Sequence, residues 1–119
     1  MHQAGKLHVY LLPQGHAPLA AILRGMSFDC LLGVDPRMLQ GGDLRSLSGA
    51  LGGRKSFWGG VDAEVTLASG DRRRIAEAVR RAIEELGSGG GLILGSLLFL
   101  GLDAKNLQMM VDAWKECLR

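Results

Sequence analysis

Residues 55–95, KSFWGGVDAEVTLASGDRRRIAEAVRRAIEELGSGGGLILG, form two short apolar runs that flank one amphipathic segment. The apolar residues of the middle segment recur at helical spacing and are Ile75, Ala78, Val79, Ala82, Ile83 and Leu86. This spacing predicts a helix that begins after Asp71, a good N-cap residue, and ends at Gly87. The flanking runs 56–61 and 92–98 are continuously apolar, as parallel strands buried on both faces usually are. The stretch therefore predicts a strand–helix–strand unit.

The same alternation of strand and helix extends over the whole chain. Further strands are predicted at 7–12 and 28–34, and further helices at 18–24, from Asp43 to Leu51, and at 104–118. The fold class is therefore α/β, with four consecutive strand–helix units and parallel strands in a single domain, residues 1–119. The pattern alone leaves two architectures open, namely a small open α/β sheet and a segment of a (β/α)8 barrel.

Length and charge exclude several classes of protein. With 119 residues the chain is too short for a complete (β/α)8 barrel, which takes roughly 250 residues. Fourteen basic and twelve acidic residues give a net charge of +2, which is too balanced to predict binding to nucleic acid or to a membrane. The arginines of 72–74 and 80–81 alternate with acidic residues, so we expect a solvated, salt-bridged helix face.

The cysteines and the apolar segments predict a cytoplasmic protein. Cys30 and Cys117 lie far apart in no metal-binding or redox spacing, which favours free, buried thiols in a reducing compartment. No apolar stretch approaches the roughly 20 residues that a membrane-spanning helix needs. We therefore expect no metal, no cofactor and no membrane partner.

Several motifs together resemble the uroporphyrinogen decarboxylase-like family, and most closely its corrinoid-dependent methyltransferase-like branch. The stretch 55–63, KSFWGGVDA, looks like that family's FWGG(V/I)D strand, and 89–94, GGGLIL, is similar to its later GGG-aromatic-IL strand. Asn106-Leu107 with Met110-Val111 match the final helix. The similarity covers residues 25–119 in order. It implies the fifth to eighth strand–helix units of a (β/α)8 barrel.

Where the family places its chemistry, this sequence differs. The methyltransferase-like branch has His-x-Cys-Gly after the first of these strands, where His and Cys serve metal chemistry, but the matching positions here are Leu12 and Gln14. Neither is a usual zinc ligand. The family commonly has Pro-Ser-His-Asn after the last strand. Here Ser96 keeps the serine, but Leu97 and Leu98 replace the histidine and the asparagine, and aliphatic side chains cannot transfer protons. The resemblance therefore implies a scaffold that lacks the family's catalytic residues.

Ligand sites of barrels lie at the carboxyl ends of the strands. The candidate ligand-binding residues at these ends are Gln14, His16, Asp35, Gly59, Gly60, Asp62 and Ser96. Gly59 and Gly60 let either a ligand or the protein itself approach the backbone closely. Asp62 can hydrogen-bond a ligand or cap a local turn, and His16 can be a ligand residue or a polar loop residue. Trp58 is expected to pack between the strand and the helices.

The apolar segment after the fourth strand predicts an interface. The candidate interface residues are Leu97, Leu98, Phe99, Leu100 and Leu102. A half-barrel also leaves two sheet edges and one sheet face uncovered, which favours association. We therefore expect a homodimeric binding or interaction module. The alternative is part of a methyltransferase- or decarboxylase-like enzyme, in which a second chain supplies barrel units one to four.

Overall fold

The computed structural model describes residues 4–51, 53, 55–97 and 101–118, in which strands and helices alternate. The elements are β1 (Val9–Leu11), α1 (Ala20–Gly25), β2 (Cys30–Val34), α2 (Leu44–Leu51), β3 (Ser56–Gly60), a π-helical turn (Ala63–Leu67), α3 (Arg72–Leu86), β4 (Leu92–Gly95) and α4 (Ala104–Cys117). All four strands pair in parallel, in the order β1-β2-β3-β4. The predicted fold class is confirmed, and only the π-helical turn is not among the predicted elements.

Local sequence determines where the longer helices begin and end. Asp71 accepts hydrogen bonds from the backbone N–H groups of Arg73 and Arg74, at 3.0 and 3.3 Å, and so caps α3. Asp103 caps α4 in the same way through the N–H of Lys105. The N–H of Gly87 closes the last turn of α3 on the carbonyl of Ile83. These short polar and glycine signals predict the helix ends correctly because caps depend on near neighbours.

The core lies between the sheet and the helices. Leu31 of β2 and Phe57 of β3 are partners in the strand register, and both are buried against the helical layer. Ile75 and Val79 of α3 face them with no exposed surface. The apolar stripe predicted for α3 is therefore the central core face. The predicted burial of both cysteines is half correct, because Cys30 is buried and Cys117 is exposed.

The opposite face of the sheet is uncovered in the part of the chain that the structure describes. Leu11, Leu32, Trp58 and Ile93 are partners across β1 to β4 and point away from the helices. Leu11, Trp58 and Ile93 are 57%, 38% and 49% exposed. We call this row, together with Val9, the open face. The prediction that Trp58 packs against helices is wrong, because side chains alternate along a strand and Phe57 takes the helical side.

The amino ends of β2 and β3 are joined by one charged side chain. The ammonium of Lys55 donates to the carbonyl oxygens of Met26 and Phe28, at 2.6 and 2.8 Å. It also lies 4.1 Å from the centre of the Phe28 ring. These contacts fix the chain before β3 against the chain before β2, at the end of the sheet remote from the candidate site.

Candidate functional site at the carboxyl ends of the strands

Because the strands are parallel, the residues that follow them lie at one edge of the sheet. The loop after β1 is joined to the loop after β2 by two backbone bonds, from the N–H of Gly15 to the carbonyl of Met38 and from Ala17 to Leu39. Between them lies His16, which is fully buried. Asp62 after β3 is also buried. Two polar side chains are thus withdrawn from solvent at this edge.

His16 is held as a neutral imidazole. Its Nε2 atom lies 2.6 Å from the carbonyl oxygen of Leu12, so Nε2 carries the proton and donates it. Burial lowers the pKa of His16, and this outweighs the opposing effects of the Leu12 carbonyl, the Asp35 charge and the Met38 carbonyl. The Nδ1 atom is buried without a hydrogen-bond partner. An unprotonated ring nitrogen at this position can accept a proton.

Asp62 is bound by the turn that follows it. One carboxylate oxygen accepts from the N–H groups of Val65 and Thr66, each at 3.0 Å, and the other accepts from the Thr66 hydroxyl at 2.5 Å. Burial by itself would raise the pKa of Asp62, but these three hydrogen bonds, with the charge of Arg37, hold the pKa below its usual value. Asp62 therefore stays ionised, and its oxygens are used in capping the π-helical turn.

The pKa of Asp35 is shifted in the opposite direction to that of Asp62. It follows β2 and accepts one hydrogen bond, from the N–H of Arg37 at 2.8 Å. Burial raises the pKa of Asp35, and the negative charges of Asp62 and Glu64 add to the effect, against the Arg37 contacts. Two carboxylates near one another with pKa values moved in opposite directions are a common arrangement at sites of proton transfer.

Gly59 and Gly60 make close contacts within the protein. A Cβ atom on Gly59 would lie 2.4 Å from the carbonyl oxygen of Val34, and one on Gly60 would lie 2.8 Å from Cβ of Ala82. Both residues have a positive φ, at +143° and +102°. The contact with Val34 occurs where the β2–β3 register shifts. Packing therefore accounts for both glycines, and a role in ligand binding stays a prediction.

The other candidates occupy more varied positions. Gln14 is exposed in the loop after β1, while Ser96 is half-buried with a hydroxyl oxygen that has no partner. Leu97 is exposed and Leu102 packs against the core. Leu98, Phe99 and Leu100 lie outside the described residues. The sheet edge thus unites His16, Asp35, Asp62 and Ser96 as buried or half-buried polar residues.

The described ranges 4–51, 55–97 and 101–118, with Gly53, contain no group of three His, Cys, Asp or Glu side chains placed to hold a metal ion. Over the same residues, no helix has the length and hydropathy needed to cross a membrane.

Comparison with known proteins supports the fold. The chain is similar to a methyltransferase from Methanosarcina mazei, with a TM-score of 0.78 and 20% sequence identity over 96% of the chain. The match spans 32% of the methyltransferase, so the chain corresponds to about a third of that protein's length. No protein-family model matches the sequence, and no curated protein matches it. At this identity the similarity shows a partial barrel-like fold.

Proposed function

We propose that the chain is a uroporphyrinogen decarboxylase-like half-barrel that binds a second copy of itself through the open face, and that a small molecule binds at the mouth shared by the two copies. The observation that carries the proposal is the row of apolar side chains across all four strands, which is exposed on β1, β3 and β4 and half-buried at Leu32 of β2. Side chains of this kind fill the interior of closed barrels.

The number of strands favours a second copy as the occupant. A (β/α)8 barrel needs eight parallel strands, and two copies of a four-stranded sheet supply them around a two-fold axis. β1 and β4 are the two edges of the sheet, so each has one side without a strand partner among the described residues. Parallel edges of this kind favour pairing with another chain.

The flank of β4 offers a second contact area. A groove of about 360 Å³ runs between this edge strand and α4. It is lined by Leu92, Ile93, Leu94, Met110, Val111 and Trp114. Part of the apolar side of α4 packs against the core, but Trp114 is 40% exposed, which leaves the side nearest β4 available to a neighbouring strand–helix unit. Ile93 belongs to both surfaces, which makes the groove continuous with the open face.

The energetics are compatible with association. Burying a fully exposed large apolar side chain contributes about 1.5–3 kcal/mol, and Val9, Leu11, Trp58 and Ile93 are each about half exposed, so covering all four contributes about 3–6 kcal/mol per copy. The loss of translational and rotational freedom opposes this by about 4–15 kcal/mol. Pairing of the strand edges and filling of the β4 groove would stabilise the dimer further.

The solution mass tests this proposal. Light scattering after size exclusion should give twice the 12.7 kDa chain mass. Ile93→Asp, on the open face, should give the single-chain mass because a carboxylate cannot be buried there unpaired. Ile22→Asp is the matched control, because Ile22 is 64% exposed on α1 in the helical layer and should leave the mass unchanged. A wild-type mass of one chain, or a dimer that persists in Ile93→Asp, contradicts the homodimer.

A second candidate function follows from the similarity to the methyltransferase. In this alternative, the chain is one half of a methyltransferase- or decarboxylase-like enzyme, and a separate chain supplies the other four units. His16, Asp35 and the partnerless Ser96 hydroxyl are the residues that favour it, because they leave polar atoms at the edge where barrels bind substrates. A single-chain mass that doubles or more on addition of such a chain supports this alternative.

A further inference from the structure

A cleft of about 350 Å³ lies on the helical side of the sheet, beside the loop after β3. Arg37, from the loop after β2, and Arg74 and Arg81, from α3, all line it. Arg74 and Arg81 are seven residues apart, two turns along one face of the helix, with Ala78 between them. The two helical arginines and the loop arginine therefore face the same space.

The positive charge in this cleft is poorly neutralised. Among the described residues, Arg72 of α3 forms an ion pair with Asp112 of α4, at 3.6 Å, and neither Arg74 nor Arg81 forms one. The salt-bridged face predicted from the sequence is therefore not formed at Arg74 or Arg81. Asp62 also lines the cleft and is ionised, so it offsets one of the three positive charges, while its oxygens are bound by the N–H groups of Val65 and Thr66 and by the Thr66 hydroxyl. Asp35 and Asp62 interact electrostatically with Arg37, and neither forms an ion pair with the helical arginines.

The arginine side chains supply the attraction for an anion. The first N–H groups of α3, those of Arg73 and Arg74, are already bound by the Asp71 carboxylate, so the end of the helix is not free to bind a ligand. Guanidinium groups bind phosphate through two parallel hydrogen bonds. Three arginines, offset by the one ionised carboxylate of Asp62, thus match a doubly charged oxyanion.

Much of the remaining lining is apolar. Pro36, Val65 and Ala78 line the same cleft, and the Thr66 hydroxyl in it is already bonded to Asp62. The apolar residues give space and an apolar surface to an organic group attached to the anion. We infer that this cleft binds a small phosphomonoester, with the phosphate at the three arginines and the organic group against Val65 and Ala78. The site lies on the helical side, so the inference does not depend on dimerisation through the open face.

Calorimetric titration at fixed ionic strength tests the inference, with inorganic phosphate and phenyl phosphate as probes. We expect one phosphate per chain and tighter binding of phenyl phosphate, whose ring contacts the apolar wall. The double variant Arg74→Gln/Arg81→Gln should weaken binding by about tenfold or more. The control Arg73→Gln/Arg80→Gln removes the same charge from the same helix outside the cleft, and it should change affinity by less than about twofold.

Two results would overturn the inference. Equal weakening by both double variants would show that phosphate responds to the general charge of α3. Absence of saturable binding by either probe would show that the cleft is a solvated surface. A circular dichroism spectrum and melting temperature for each variant establish that a loss of binding does not come from unfolding.

Discussion

Replacing Gly59 by alanine should destabilise the protein more than almost any other single methyl addition. The new Cβ would lie 2.4 Å from the carbonyl oxygen of Val34 and 2.9 Å from its nitrogen, both of which are backbone atoms that cannot rotate away. The φ of +143° adds strain of about 1–3 kcal/mol for a residue with a side chain. Displacing the neighbouring strand costs about 1–3 kcal/mol more, by analogy with overpacked cores. We therefore expect a loss of about 2–6 kcal/mol.

Gly49→Ala is the matched control for this change. Gly49 lies in the middle of α2 and is exposed, and a methyl group added to it would meet no atom within 4 Å. Alanine is better than glycine in a helix by about 0.5–1 kcal/mol, so this variant should be more stable than the parent.

Thermal unfolding followed by circular dichroism, at one protein concentration, distinguishes the two variants. A free-energy change of 1 kcal/mol moves the melting temperature by about 4 °C in a domain of this size, so Gly59→Ala should melt about 8–24 °C lower. Gly49→Ala should melt about 2–4 °C higher. A melting temperature for Gly59→Ala within about 2 °C of the parent would refute the close contact between β2 and β3.

Two further outcomes follow from the buried polar residues. Asp62→Ala removes a cap and leaves two N–H groups and a hydroxyl without their acceptor, so urea unfolding should show a loss of about 2–4 kcal/mol. The exposed cap variant Asp71→Ala should lose only about 1 kcal/mol, and equal losses would contradict the buried role of Asp62. Since burial lowers the pKa of His16, the unfolded chain binds this proton more readily, and stability should fall as the pH drops below about 6.5 towards the folded-state pKa. Urea unfolding between pH 5 and 8 should show that this fall is reduced in His16→Leu and kept in His8→Gln; an unchanged fall in His16→Leu would rule out His16 as its source.

The two binding surfaces proposed for this protein use different parts of the fold. The open face lies on the side of the sheet that carries Trp58, and the arginine cleft lies on the helical side. His16, Asp35 and Ser96 follow the carboxyl ends of the strands, between these two sides of the sheet. A dimer built on the open face would leave the arginine clefts of both copies accessible, so the two proposals can be tested on the same protein sample.

Patterns among near neighbours in the sequence are sufficient to predict the order and type of the main helices and strands. The stripe of α3, its cap at Asp71 and the apolar runs of the strands depend on residues within a few positions of one another, and these predictions are confirmed. The predicted strand ends are less accurate, because β1 begins at Val9 where the apolar run begins at Leu7. The π-helical turn is absent from the prediction, although Asp62 and Thr66, four residues apart, are a signal for it.

Only the tertiary structure shows to which face of the sheet each side chain points. The continuous apolar run 56–61 predicts a strand covered on both sides, yet only the register with β2 and β4 shows that Phe57 meets helices and Trp58 does not. The sequence equally allows Gly59 to face a ligand or the protein. In the structure the backbone of Val34 lies so close to Gly59 that packing explains the need for a glycine at this position. From the sequence, the arginines of α3 predict a salt-bridged face, because the spacing along a helix shows which charges are close on that helix. The cleft lined by these arginines is formed together with residues of other elements, and spacing along α3 cannot predict it. Composition and local spacing thus determined the strand–helix units, and only contacts between distant segments decided which of their faces are open.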